Sequence, residues 1–206
     1  QENSGNYMNT ETNAIKVING IYDILSQTEG RGPDDIWMAH HYDFFFGSIV
    51  TDDAVKGSKL SDFPELALIE DFSATTGNSV ANAFWIHGFW GVSRCNYAIK
   101  NLPDATISES LKKRLLGESY FLRAYHYINL LHHFGGVPLF TAPLKPSEFG
   151  KMPRASIHDT FEFINADLNK AIELLPERSE YTSIDMGRAT RGAARAFLAK
   201  SLIYQI

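Results

Sequence analysis

Residues Glu118–Pro143 read ESYFLRAYHYINLLHHFGGVPLFTAP, which combines a helical pattern, a Gly-Gly pair and a proline. Small and apolar residues recur there in steps of four and three, the spacing of one face of a helix. That face comprises Gly117, Phe121, Ala124, Ile128 and Leu131. Either Gly135 or Gly136 can take the left-handed backbone that ends a helix, and Pro138 discourages its continuation. The stretch predicts a long, buried helix followed by an extended segment.

Helical patterns on both sides of this stretch predict an all-α chain. We expect helices over Thr10–Gln27 and Ser79–Asn101, and a third helix that begins near Ser108 and contains the quoted stretch. A fourth begins after an N-cap at Ser156, and a fifth begins near Arg188. The inward face of the fourth helix is expected to comprise Ile157, Phe161, Ile164, Leu168, Ala171 and Leu175.

These helices are expected to stack as hairpins. The second helix pairs with the third and the fourth with the fifth, while residues 28–78 form a long irregular loop insertion. Stacked pairs bury their faces against neighbouring pairs, and about three pairs are needed to seal a core. The pattern therefore predicts stacked helical hairpins with an uncovered face at the C-terminal end, as in the N-terminal piece of a longer protein.

Composition indicates a folded chain without a basic surface. The 206 residues are 44% apolar and 21% charged, which fits a globular class. The net charge of -5 makes nucleic acid an unsuitable partner, because binding to phosphates requires cations. No run of about 18 apolar residues is present, so no segment is expected to span a bilayer by itself. Cys95 is the only cysteine and is expected to be a buried thiol.

Motifs of enzymes and metal sites are absent from the sequence. It contains no His-Glu-x-x-His, Gly-x-Ser-x-Gly, Walker or dinucleotide-binding pattern, so we predict neither an enzyme nor a cofactor. Adjacent histidines diverge by about 100° on a helix, so His132 and His133 cannot both point at one metal ion. The pair Asp52 and Asp53 is expected to close a turn after Thr51 rather than to act as catalytic carboxylates.

Blocks of sequence that follow one another in a fixed order resemble the SusD/RagB family of nutrient-capture lipoproteins of the Bacteroidetes outer membrane. FLRAY followed by GGVPL is similar to the family signature, and GRATRGAA is similar to its Gly-Arg-Ala-Ser/Thr-x-x-Ala-Ala element. The blocks that carry the resemblance are Thr51–Ala54, Trp85–Ile99, Phe121–Leu139, Pro153–Ser156 and Gly187–Ala194. The resemblance extends over essentially the whole chain, and it implies a tetratricopeptide-like helical fold over residues 1–206.

The resemblance also implies a function. Members of this family are non-catalytic proteins that capture oligosaccharide or polysaccharide at the cell surface and deliver it to a SusC-like TonB-dependent transporter. It implies an outer-membrane lipoprotein whose precursor carries a signal peptide, with a lipid anchor on a cysteine that would precede Gln1. Two alternatives stay open, since stacked hairpins also suit a protein-interaction scaffold and some relatives take up peptides.

Aromatic residues in the long insertion are the main ligand signal. Flat rings can stack on the apolar face of a sugar while carboxylates bind its hydroxyls. Trp37 and Tyr42, with His41 and Asp43 beside them, are therefore predicted to contact a glycan. The alternative is that these rings pack the loop onto the helices. The rings of Trp85 and Trp90 are expected to pack within the fold, and Arg123 is expected to bridge carboxylates or loop carbonyls.

Overall fold

The structure is a computed structural model that describes residues 6–25, 43–59, 61–144, 146–148 and 150–205. All regular secondary structure within these ranges is helical, which confirms the predicted all-α, tetratricopeptide-like class. The longer helices are α1 (Glu11–Leu25), α2 (Pro64–Glu70), α3 (Ser79–Asn101), α4 (Glu109–Phe134), α5 (Ile157–Leu174) and α6 (Arg191–Ile203). A π-helix at Asp43–Ser48 and short 3-10 turns complete the described elements.

The chain forms two compact units. The first unit consists of Gln1–Asp23 together with Trp90–Ile206, and the second consists of Ile24–Phe89. In the first unit α4 packs against α5, and α5 packs against α6. In the second unit α2 packs against the π-helix, and Phe46 meets Phe84 edge to face at 4.6 Å between ring centroids.

The quoted helix α4 forms the centre of the first unit. Phe121 and Ile128 are buried, as the pattern predicts, and Leu115, Leu122 and Tyr127 have almost no exposed surface. Burying one side chain of this size contributes about 1.5–3 kcal/mol, so these residues stabilise the unit. Close packing also explains a glycine on this face. A Cβ at Gly117 would lie 2.9 Å from Cγ of Leu175, which follows α5 directly.

Hydrogen bonds fix the chain where it leaves α4. Gly135 ends the helix with a φ of +69°, and its N–H donates to the carbonyl of Leu131 at 2.9 Å. The N–H of Phe140 donates to the hydroxyl of Tyr127 at 2.8 Å, and the amide of Asn96 donates to the carbonyl of Phe140 at 3.0 Å. The extended segment is therefore held by side chains from α3 and α4.

Helix α5 begins at a side-chain cap, which confirms the prediction for Ser156. Its hydroxyl oxygen accepts from the N–H of Asp159 at 3.0 Å, and the same hydroxyl donates to the Asp159 carboxylate at 2.7 Å. The negative charge of Asp159 lies in the first turn, where it is favoured by the helix dipole. This cap fixes the point at which α5 begins.

Replacing Ser156 with alanine is expected to lower the free energy of unfolding by about 1 kcal/mol, because the N–H of Asp159 loses its acceptor. Urea unfolding followed by circular dichroism measures the loss. The matched control is Ser110→Ala in the first turn of α4, where the exposed serine is expected to change stability by less than about 0.5 kcal/mol. Equal losses in both variants would contradict a capping role for Ser156.

Several details differ from the sequence prediction. Ile157 was expected to face inward, but its side chain is 56% exposed, whereas Thr160 in the same first turn of α5 is buried. Helix α6 begins at Arg191 with Thr190 as its cap, and not near Arg188. The hydroxyl of Ser108 donates to Glu11 instead of capping α4. The predicted irregular insertion includes helix α2, which begins with Pro64 and is too short to show a helical period.

The last turn of α6 exposes large apolar side chains. Leu202 is 52% exposed, Ile203 67% and Tyr204 58%. Small residues on the same helix, Ala196 and Ala199, are exposed as well. The predicted stack of hairpins likewise leaves an apolar helix face uncovered at this end.

Candidate functional site

The residues predicted to contact a glycan fall mainly outside the described part of the chain. Trp37, His41 and Tyr42 lie in the range that the structure leaves undescribed, and Asp43 is the first residue of the π-helix Asp43–Ser48. Their role in ligand binding stays a prediction. The nearby Thr51 forms the expected turn, since its hydroxyl donates to the carbonyl of Ser48 at 2.8 Å and accepts from the N–H of Asp53 at 3.2 Å.

The signature arginine is the centre of a buried polar cluster. Arg123 forms two hydrogen bonds of 2.7 Å with the two carboxylate oxygens of Asp167, from Nε and from Nη2. Its third nitrogen donates to Oδ1 of Asn96 at 2.6 Å. The exposed fractions of the Arg123 and Asp167 side chains are only 5% and 3%, and the Phe163 ring lies 4.9 Å from the guanidinium. Arg123 therefore ties α3, α4 and α5 together, which confirms its predicted structural role.

A second charged cluster explains the role of Arg188, the first arginine of the GRATRGAA block. The Glu118 carboxylate is fully buried and accepts from Nη1 of Arg188 at 2.9 Å. Arg188 also pairs with Asp185 at 2.9 Å, and Arg114 pairs with the same Asp185 at 2.6 Å. Burial raises the pKa of the Glu118 carboxyl, and this effect outweighs the lowering by Arg188 and Arg114. The motif arginine thus fastens the loop before α6 onto α4.

The tryptophans Trp85 and Trp90 and the single cysteine Cys95 lie at packed positions. The Trp85 ring meets Phe89 at 4.8 Å between centroids, and both Trp85 and Trp90 are half-buried. Cys95 is fully buried, and burial raises the pKa of its thiol, so it stays protonated and unreactive at neutral pH. In the described ranges no three His, Cys, Asp or Glu side chains come together in a way that could hold a metal ion.

No helix in the described ranges has both the length and the apolar character needed to cross a membrane. Two grooves on the surface of the first unit are lined by described residues. The larger has a volume of about 600 Å³ and is lined by charged groups of both signs, among them Glu11, Lys113, Arg114 and Arg191. Most of these charges have partners within the fold, as in the pairs Arg114–Asp185 and Arg191–Glu177.

The smaller groove has a volume of about 380 Å³ and lies between α1 and α3. It is lined by aromatic, hydroxyl and cationic groups, with no acidic residue among them. The polar and aromatic lining and the glycine at its floor are Tyr7, Lys16, Gly20, Ser93, Arg94 and Tyr97. The sequence prediction missed this groove because its two sides are far apart in the chain. The available signal was a shared helical spacing, since Lys16 and Gly20, and Ser93 and Tyr97, are each four residues apart.

Comparison with known proteins gives a consistent result. A family model described as "Starch-binding associating with outer membrane", SusD-like, matches residues 7–204. SusD-like protein P2 of Formosa agariphila is 27% identical over 132 residues, which are 64% of this chain and 25% of that protein. A SusD-like protein of Bacteroides ovatus is 34% identical over 103 residues, which are 50% of this chain and 18% of that protein.

A solved structure, titled a laminarin-binding SusD-like protein, shares the fold with a TM-score of 0.83 and 30% identity. The match covers 97% of this chain and 41% of that protein, so the chain spans less than half of its structural relative and about a quarter of the curated relative P2. The family match extends over nearly the whole chain and includes the buried Arg123 and Arg188 clusters. This chain belongs to the SusD-like family.

Proposed function

We propose that this chain is the N-terminal helical part of a non-catalytic protein of the outer-membrane surface that captures oligosaccharide or polysaccharide. The observation that carries the proposal is the family match over residues 7–204, together with 30% identity to a laminarin-binding relative. The protein delivers its glycan to a SusC-like TonB-dependent transporter. A lipid anchor outside this chain attaches it to the membrane, and its precursor carries a signal peptide.

The architecture supports binding rather than catalysis. Arg123 and Arg188, one arginine from each of the two sequence motifs, form ion pairs within the fold, with Asp167 and Glu118 respectively. Catalysis requires a nucleophile or an acid and base arranged around one reacting atom, and the described clusters consist of arginine–carboxylate pairs within the fold. In this proposal the helices serve as a support, and the insertion 28–78 supplies the rings that contact the glycan.

The Trp37→Ala/Tyr42→Ala double variant tests which part of the chain binds. Its affinity for the preferred glycan is expected to fall at least tenfold, about 1.4 kcal/mol, because stacking of flat rings on the sugar is lost. Isothermal titration of the full chain against laminari-, malto- and xylo-oligosaccharides and a panel of short peptides measures this affinity.

The matched control for this experiment is Tyr204→Ala, which removes an aromatic ring that is 58% exposed and lies outside the insertion 28–78. Its glycan affinity is expected to stay within twofold. Unchanged affinity in Trp37→Ala/Tyr42→Ala, with an unchanged melting temperature, would favour a scaffold whose ligand contacts lie elsewhere. Binding of peptides without binding of any oligosaccharide would overturn the glycan proposal.

A further inference from the structure

The smaller groove of the first unit is lined by two cationic side chains that form no ion pair with a described residue. Arg94 on α3 and Lys16 on α1 both line it and are both exposed. By contrast, five arginines of the described ranges pair with carboxylates, namely Arg114, Arg123, Arg188, Arg191 and Arg195. Neither Arg94 nor Lys16 has a carboxylate within 4.0 Å among the described residues. The groove therefore holds positive charge that no carboxylate of the described residues neutralises.

One hydrogen bond positions Arg94. Its Nη1 donates to the carbonyl of Gly20, which holds the guanidinium at the wall of α1. Nε and Nη2 donate to no acceptor in the described part of the chain, so two N–H directions remain for a ligand. A planar guanidinium can bind both oxygens of an acidic group at once, an arrangement that a lysine cannot provide.

Gly20 opens the groove between the two helices. Lys16 and Gly20 are one turn apart on α1 and share a face, so the missing side chain at Gly20 leaves space beside the Lys16 ammonium. A Cβ placed at Gly20 would lie 3.9 Å from Nη1 of Arg94, which shows how closely the guanidinium approaches the helix backbone. The two cations therefore border the same space.

Aromatic and hydroxyl groups complete the lining. Tyr7 and Tyr97 are half-buried, and Ser93 is exposed one residue before Arg94. A tyrosine ring offers a flat apolar surface to one face of a sugar ring, and hydroxyl groups can bind its own hydroxyls. A cationic pair beside such rings suits a sugar that is also negatively charged. A neutral sugar accepts hydrogen bonds from these cations but does not neutralise their charge.

We infer that the groove bordered by Tyr7, Lys16, Arg94 and Tyr97 binds a sugar ring that carries an acidic group, either a carboxylate or a sulfate. The choice of a sugar rests on the proposed glycan-binding function, whereas the acidic group follows from this groove alone. The larger groove does not suit the same ligand. It is lined by Glu11, Glu173 and Glu180, which would repel an anion, and two of its three cations, Arg114 and Arg191, are paired within the fold.

The test compares two double variants that remove the same charge. Lys16→Gln/Arg94→Gln removes the cations of the groove and keeps polar side chains that can still donate hydrogen bonds. Lys100→Gln/Lys151→Gln removes two exposed cations that do not line it. The full chain and both variants are titrated with an oligogalacturonate, a sulfated galactan oligosaccharide and a neutral oligosaccharide of the same length. Thermal melting of each variant checks that it is folded.

We expect an acidic oligosaccharide to bind the unsubstituted chain and to bind Lys16→Gln/Arg94→Gln at least tenfold more weakly. The control variant is expected to stay within twofold, and higher salt is expected to weaken binding of the acidic ligand more than that of the neutral one. Whichever acidic oligomer shows the loss identifies the acidic group.

The inference would be overturned by unchanged affinity of both acidic oligomers in the groove variant, by an equal loss in the control, or by the absence of any acidic binding. These failures differ from failure of the proposed function. If the neutral oligosaccharide binds all three proteins equally, glycan capture stands without this groove. If no saccharide binds, both proposals fall.

Discussion

Replacing Arg123 with alanine is expected to lower the free energy of unfolding by about 3–5 kcal/mol, the largest effect of any single substitution considered for this chain. The change leaves the Asp167 carboxylate buried without its partner, and Oδ1 of Asn96 loses a donor at 2.6 Å. For a domain of this size the loss corresponds to a fall in melting temperature of roughly 6–20 °C. Differential scanning calorimetry, or urea unfolding followed by tryptophan fluorescence, measures it.

The matched control is Arg195→Ala, which removes an arginine that is 59% exposed and pairs with Glu177 at 3.3 Å. An exposed pair contributes about 0–1 kcal/mol, so this variant is expected to melt within a few degrees of the unsubstituted chain. A further variant, Arg123→Met/Asp167→Leu, removes both charges. It is expected to be more stable than Arg123→Ala, because no uncompensated carboxylate stays buried. Equal losses for Arg123→Ala and Arg195→Ala would contradict the structural role of the signature arginine.

The Gly136→Ala substitution is expected to lower the free energy of unfolding by about 3 kcal/mol through a steric clash. A Cβ at this position would lie 2.0 Å from the backbone oxygen of Ala155, which cannot rotate away as a side chain can. The clash would separate two segments that the hydrogen bond between Ala155 N–H and the Val137 carbonyl, 3.1 Å long, holds together. Arg154, which donates to the carbonyl of Gly136 at 2.8 Å, would be displaced as well.

Two glycines serve as controls for this prediction. A Cβ at Gly192 would meet nothing closer than 3.8 Å, and this residue lies in the first turn of α6, so Gly192→Ala is expected to be neutral or slightly stabilising. A Cβ at Gly135 meets no atom within 4 Å, but its φ is +69°, so Gly135→Ala measures backbone strain alone, about 1–3 kcal/mol. Chemical denaturation of the three variants separates these causes. A loss for Gly136→Ala no larger than that for Gly192→Ala would show that the segments can part freely.

The fold could be predicted from the sequence wherever one helix face repeats over several turns. The helical spacing of Phe121 and Ile128 correctly predicted the buried side of α4. Ser156 with Asp159 correctly predicted the start of α5. Short elements escaped because they contain too few turns to show a period, as α2 does between Pro64 and Glu70. The start of α6 was placed too early because Arg188 follows Gly187 in a helix-like motif, while its side chain is required by Glu118 and Asp185.

The candidate sites depend on contacts between residues that are far apart in the sequence, and these contacts could not be predicted from it. It could be predicted that Arg123 binds a carboxylate or a loop carbonyl. Its partner Asp167, however, is 44 residues away, and no local spacing points to it. Gly20 and Arg94 are 74 residues apart, so the groove they form becomes visible only when α1 and α3 are packed together. Trp37, His41 and Tyr42, by contrast, lie close together in the sequence. Their aromatic and polar chemistry favours a glycan, and their role in binding stays a prediction from the sequence.

The sealed position of Cys95 has a practical consequence. Alkylating reagents react with the thiolate form of a cysteine and not with the thiol. The sulfur of Cys95 is shielded from water, and burial keeps it protonated by raising the pKa of the thiol. Modification at this atom therefore requires the surrounding helices to separate first. The rate at which an added maleimide reacts with the native chain reports how often the molecule opens, without any dye, tag or engineered probe.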